Sequence, residues 1–212
     1  MSEEDGFEPT EVEQEAGEES AAEQAERLRR REAAMARIVQ FGSPLLRSRA
    51  TEIREFGDDL VAEAAEMVEL MRDAYGVGLA ANQIGRLRRI LVFEPTGEEG
   101  PSALVNAEIE WLSEEVDVMQ EACLSIPGIA VDIERPVAGH FTGVDLEGQP
   151  VRLELEGLPA RILQHEIDHL DGVLILDRAD PEQRKAALGA LRRGETWAPP
   201  EQDGEATEEA LA

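Results

Sequence analysis

The chain has 212 residues, one cysteine and a formal charge of -27. That is enough for one domain with its own core; a lone cysteine excludes an internal disulfide framework, and the acidic balance argues against nucleic acid as a direct ligand. No apolar run is long enough for a membrane span, and the acidic start is unlike a secretory signal, so a cytoplasmic protein with no membrane partner is expected.

The charge is unevenly placed. Met1 to Glu26 holds eleven acidic residues and no basic ones, and Gly194 to Ala212 holds six and none. Taking those seventeen away leaves -10 on the middle of the chain. The composition predicts disordered acidic tails over 1–26 and 194–212 around a single domain at 27–193. Residues 21–36 suit a short, highly charged helix leading out of the first tail. Gly42 and Pro44 place a turn and loop in "QFGSPLLRSRA". Ile53, Phe56, Leu60, Ala64, Met67 and Met71 then recur three and four apart, which predicts an amphipathic helix. Thr51 suits its cap and Glu52 its first turn, and Gly76 and Gly78 end the run.

The middle of the chain is strand-like. "RRILVF" at 88–93 is a short apolar strand, and "SALVNAEIEWL" at 102–112 is one bent strand or two. Val151, Leu153 and Leu155 alternate with charged residues, which predicts a strand with one buried and one wet face. "LEGQP" turns it back on "VAGHFTGVDL" as a hairpin. A helix begins near Pro159 and stops at Gly172. Another opens at "DPEQ", with Asp180 as cap, Pro181 at the first position and Gln183 completing a capping box. One helix, several strands and two helices predict an α+β fold rather than a doubly wound sheet.

The stretch "LQHEIDHLDG" at 163–172 holds two of the three histidines. His165 and His169 are four apart on a helix, so both imidazoles leave one face and can meet one ion. Glu166 is one position round, within reach of water at such an ion without being a ligand. That is what a metal hydrolase needs. The motif is short and arises by chance. The plain alternative is a polar helix face whose histidines are hydrogen-bonded. Leu163, Ile167 and Leu170 make the helix a buried one, however, and buried histidines need partners. Cys123, His140 and several carboxylates are open as the third ligand. A thiolate with two imidazoles leaves a fourth position free.

Three separated stretches, "GVGLAANQIG" at 76–85, "EACLSIPG" at 121–128 and "QHEIDHLDG" at 164–172, together resemble the signature motifs of peptide deformylases, in order and in spacing. The resemblance covers residues 36–193. It implies antiparallel sheets packed around a central metal-bearing helix, and removal of the formyl group from N-terminal formyl-methionine of nascent proteins, with release of formate. It also implies that Cys123, His165 and His169 hold one Fe2+, with Zn2+, Ni2+ or Co2+ able to substitute. Glu166 would be the general base. Gln83 and the backbone N–H of Leu124 would stabilise the oxyanion. Gly78 would belong to the segment that pairs with the substrate backbone, and Ile162 and His165 would lie beside the methionine side chain. The implied partners are N-formyl-methionyl peptides and, transiently, the ribosome, for a monomeric enzyme. Two imidazoles and a thiolate do not select iron over zinc by affinity.

One position departs from the pattern. The second motif has glycine before the cysteine where this chain has Ala122. A positive φ there would make alanine costly; ordinary extended chain would accept it. The departure leaves open a deformylase-like protein with weakened or changed activity, or a non-catalytic metal-stabilised peptide binder; a zinc peptidase sharing the helix motif is a further rival. Glu121 is expected to pair with an arginine, Arg135 being one choice, and Gln164 to brace the site. Asp168 faces away from the histidines. Ser125 lacks the setting of a serine nucleophile.

Overall fold

The computed structural model describes residues 20–94 and 102–200 of the chain. Helix α1 (Ala21–Met35) carries a full capping box, Ser20 and Glu23 exchanging side-chain and backbone hydrogen bonds. It buries Ala34 against α2 (Asp58–Asp73), which presents Leu60, Ala64, Met67, Leu70 and Met71 to the same core. α1 meets the expectation of a short charged helix over 21–36, and it begins inside the span 1–26 also expected as tail, because the cap at Ser20 satisfies amide groups that a tail would leave to water. Residues 1–19 and 201–212 lie outside the described residues, as does 95–101.

α2 begins at Asp58, later than its apolar periodicity predicts, and Gly57 precedes it with no side-chain cap. Tertiary hydrogen bonds take the first residues away from the helix. Thr51 bonds to Leu87 and Arg89, and the Asn106 side chain holds both the N–H and the C=O of Ile53 at 2.8 Å.

Strands β1 (Gly78–Ala80), β2 (Ile90–Phe93), β3 (Ser102–Leu112), β6 (Ala138–Val144) and β7 (Pro150–Glu156) form one antiparallel sheet, in the order β1-β2-β3-β6-β7. β3 is a single bent strand: its register with β6 shifts twice, between Val105 and Glu108 and between Ile109 and Trp111. Such shifts bend a strand and sharpen its twist. The hairpin of β4 (Val116–Ala122) and β5 (Ala130–Pro136) is inserted between β3 and β6 as a separate two-stranded sheet.

Helix α3 (Gly157–Leu170) lies across the large sheet and touches all five of its strands. Leu163, Ile167 and Leu170 face it, with Phe141, Leu91 and Leu104 beneath. Ten of its fourteen residues are buried, so the helix is enclosed on nearly every side. Burying those three side chains is worth roughly 1.5–3 kcal/mol each. The short α4 (Ile175–Arg178) and α5 (Pro181–Arg193) cover the β4–β5 hairpin with Leu174, Ile175, Leu176, Ala187 and Ala190. Asp180 caps α5 as expected, but Gln183 does not close the capping box; its amide exchanges two hydrogen bonds with Asp132 on β5. The segment after α5 is also ordered: Trp197 bonds through its backbone to Gly128 and Ala130, beside the loop that follows β4. Residues 194–200 therefore correct the second tail, because these bonds dock them on the domain. No helix among the described residues is long and apolar enough to cross a membrane.

Candidate metal centre and active site

Two elements build the centre. α3 supplies His165 and His169 one turn apart, with ring centroids 5.0 Å from each other. The turn that leaves β4 supplies Cys123, whose Sγ is 3.2 Å from His169 Nε2. One donor atom from each of Cys123, His165 and His169 lies within 4.8 Å of the others. Of the third ligands left open by the sequence, the thiol is the one the fold brings in. His140 sits on β6, stacked on Trp111 and bonded to Arg152, away from this cluster.

The far side of His165 is held. Its Nδ1 meets Glu121 Oε2 at 3.0 Å, and Arg135 and Arg161 both donate to the same carboxylate. Burial alone would raise the Glu121 pKa, yet its bonds to His165 and Arg135 hold it well below the usual carboxylate range. An ionised carboxylate only accepts, so Nδ1 carries the hydrogen and Nε2 keeps its lone pair for the centre. Burial pulls the His165 pKa down, but its bonds to Cys123 and Glu121 raise it well above the ordinary imidazole value. A proton and a cation would therefore compete for this nitrogen, as at any site made of titratable ligands. Burial, with His165 as a charged neighbour, pushes His169 the other way, and its Nδ1 is buried without a hydrogen-bond partner.

Glu166 is 4% exposed and its Oε2 has no hydrogen-bond partner. Burial raises its pKa to about 7, with the charges of His165 and Arg135 opposing. The carboxylate lies directly over β1. A Cβ added to Gly78 would overlap Glu166 Oε1 and sit 2.9 Å from its Cδ, and one added to Gly76 would be 2.8 Å from Leu124 Cδ1. Gly78 is required by this close approach to the buried carboxylate, whereas at Gly76 the Leu124 side chain could give way.

Gln83 lies in the 3-10 turn Ala81–Ile84 that follows β1. Its Oε1 accepts from the Ala80 N–H at 2.8 Å, which fixes the amide, and its Nε2 points to Cys123 Sγ at 3.7 Å and Ser125 Oγ at 3.3 Å. Leu124 follows Cys123 in the same turn. Ile162, one turn before His165, is 6% exposed and packs in the core under α3. Ala122 is the last residue of β4, opposite Ala130, and the positive-φ residues other than glycine are Tyr75 and Asn106, among the described residues. Its backbone is ordinary extended chain, so alanine carries no conformational penalty there.

Several contributors were not singled out from the sequence. Arg161 joins Glu121 to the backbone oxygens of Ile133 and Asp117. Asn82 donates to the His169 carbonyl. Asp168, by contrast, was named from the sequence as facing away from the histidines, and it is a buried partner of Arg135 and Arg178. The signal for Arg161 was its place one helical turn before His165. For Gln164 the structure gives bonds to Pro136 and Ala160, not to the centre.

The donor set fits a divalent transition-metal cation: one thiol, two imidazoles with opposed protonation preferences, and an unpartnered buried carboxylate alongside. A family model described as polypeptide deformylase matches residues 35–185. "Peptide deformylase 1" of Corynebacterium glutamicum is 44% identical over 161 residues, covering 75% of this chain and 95% of that protein. The peptide deformylase of Acidothermus cellulolyticus is 45% identical over 161 residues, covering 76% of this chain and 87% of that one. Among solved structures, a peptide deformylase from Synechococcus elongatus in complex with actinonin superimposes with a TM-score of 0.70 at 36% identity, covering 75% of this chain and 88% of that chain. The Thermotoga maritima peptide deformylase gives 0.65 at 43% identity, covering 68% and 97%.

Proposed function

The chain belongs to the polypeptide deformylase family, and from that premise we propose that it hydrolyses the N-formyl group of formyl-methionyl nascent peptides through a single Fe2+ held by Cys123, His165 and His169. The observation that carries this reading is the meeting of those three side chains from two separate elements, with the buried carboxylate of Glu166 beside them. The cation, when bound, supplies a Lewis acid that polarises the formyl carbonyl and makes water a better acid.

The protein's own groups do the rest. Glu166 has no hydrogen-bond partner on Oε2 and a pKa raised towards neutrality, so it takes a proton from the attacking water and returns it to the leaving amine. Gln83, its amide fixed by Ala80, donates from Nε2 to the oxygen on which charge develops, and the Leu124 N–H donates beside it. β1 is the edge strand of the large sheet, so the substrate backbone adds there as a further strand next to Gly78. Ile162 and His165 flank the methionine side chain. Recognition through the main chain leaves the residues after methionine free to vary. Substrates are nascent chains met transiently at the ribosome, and the enzyme acts as a monomer in the cytoplasm. Zn2+, Ni2+ or Co2+ occupies the same ligands when abundant, because the donor set does not discriminate by affinity.

The test is formate release from formyl-Met-Ala-Ser by protein purified anaerobically and loaded with Fe2+. Rapid release is expected, together with loss of at least about 100-fold in Glu166→Ala at unchanged metal content, since the ligands remain and the base is gone. Wild-type protein that binds one metal per chain and releases no formate would overturn the reading.

A further inference from the structure

Helix α1 lies ahead of the family-matched span but for its last residue, and two of its arginines meet Tyr75 just past the end of α2. α2 ends with the hydrogen bonds Tyr75 N–H to Arg72 O and Gly76 N–H to Met71 O, a Schellman motif. The position that motif reserves for glycine or asparagine is filled by Tyr75, at φ 62°. An aromatic residue in the left-handed region is strained. Its hydroxyl has no hydrogen-bond partner, so hydrogen bonding does not hold it. Instead, Arg27 and Arg31, one turn apart on α1, set their guanidinium carbons 5.8 and 5.2 Å from the ring centroid. Arg30 adds an ion pair to Asp73 at 3.9 Å.

Directly after Tyr75 come Gly76, which abuts Leu124, Val77, which takes a 2.8 Å hydrogen bond from the Glu94 N–H, and Gly78, which abuts Glu166. A small rotation about Tyr75 would move β1 against the groups proposed to bind and cleave the substrate. We propose that Tyr75, clamped by Arg27 and Arg31 of α1, is a positioning residue that sets the height of the substrate-pairing strand β1 over Glu166. This rests on the reading that the peptide adds to the edge of β1.

The experiment compares metal-loaded wild type, Arg27→Ala/Arg31→Ala and Tyr75→Asn on two substrates, formyl-Met-Ala-Ser and formyl-Met-amide. The longer one uses more of the strand. Both variants are expected to raise KM for the tripeptide by about fivefold, to raise it less for formyl-Met-amide, and to leave kcat within about twofold. Tyr75→Asn is expected to melt no lower than wild type, because asparagine accepts the left-handed conformation. A residue with only a structural role would give variants whose KM ratio between the two substrates matches wild type, or which lose activity on both in parallel with stability; either result overturns the proposal. Wild type that releases no formate overturns the reading beneath it, and the proposal with it.

Discussion

Glu121 has two carboxylate oxygens and three cationic or cation-capable partners: Arg135, Arg161 and His165. Its side chain is 6% exposed and those of the two arginines 3% and 7%, so this is a buried ion cluster rather than a surface pair. Breaking such a cluster leaves charges uncompensated in a poor dielectric. Glu121→Gln keeps the shape and removes the charge, and should lower the unfolding free energy by roughly 3–5 kcal/mol in urea titration. It should also weaken metal binding about 10–100-fold, since His165 loses the acceptor that orients it. Arg135→Lys should not restore what Arg135 does, because one guanidinium bonds both Glu121 and Asp168. The same holds at Arg89 and Arg161, which are also buried and make several bonds each. Gly78 is the second residue with a sharp expectation. Gly78→Ala should cut kcat for formate release about 100-fold by displacing Glu166, while metal content, set by ligands on α3 and the turn after β4, stays at one per chain.

The elements around the site are tied down by side-chain bonds to loops. α4 is held at its start by Asp177, which accepts from the Leu174 N–H at 2.9 Å and pairs with Arg47 in the 3-10 turn Pro44–Arg47. Burial would raise the Asp177 pKa, but the bonds from Arg47 and Leu174 bring it below the usual value. A carboxyl depressed in the folded state adds stability above its unfolded pKa, and that stability is lost as pH falls through the folded value. Asp177 is solvent-exposed, so screening weakens these bonds, and Asp177→Asn should therefore destabilise by about 0.5–1 kcal/mol at pH 7. The gap from wild type should close as the pH drops below about 4. Urea midpoints at pH 7 and pH 3 check both parts; a gap that widens on acidification would contradict the assignment. The start of α2 teaches a related lesson. Its apolar periodicity runs back to Ile53, but Asn106, fifty-three residues away, holds the Ile53 backbone and the helix begins only at Asp58.

At the scale of the molecule, the three proposed metal ligands join two layers. Cys123 belongs to the core cluster under the β4–β5 hairpin, with Ile126, Ile129 and Val131, whereas α3 packs on the five-stranded sheet. A cation held across that junction binds the folded state alone and so stabilises it by mass action. At free metal 100 times its Kd the gain is about 2.7 kcal/mol, or roughly 5–10 °C in Tm for a domain of this size. Chelation should remove that increment, and Cys123→Ala should melt at one temperature with and without chelator. Equal chelator sensitivity in that variant would show that the cation is held elsewhere.

Much of this was legible in one dimension. Periodicity located α2, β2, β7 and α3, and the spacing of His165, Glu166 and His169 implied a cation site, because a helix and a strand each turn local order into a fixed direction for side chains. The three motifs identified the family and, through it, the thiol. What the chain could not state was anything fixed by partners far apart in sequence. Arg161 and Arg135 share Glu121 only because α3 is laid against the β4–β5 hairpin. The open question at Ala122 turned on a backbone conformation that its pairing with Ala130 sets. Residues 194–200 read as solvated acidic chain, and order comes to them from the bonds of Trp197 to Gly128 and Ala130. Composition reports the average cost of burying a segment, whereas a few specific hydrogen bonds decide whether it stays in water, and those bonds exist only after the fold has closed.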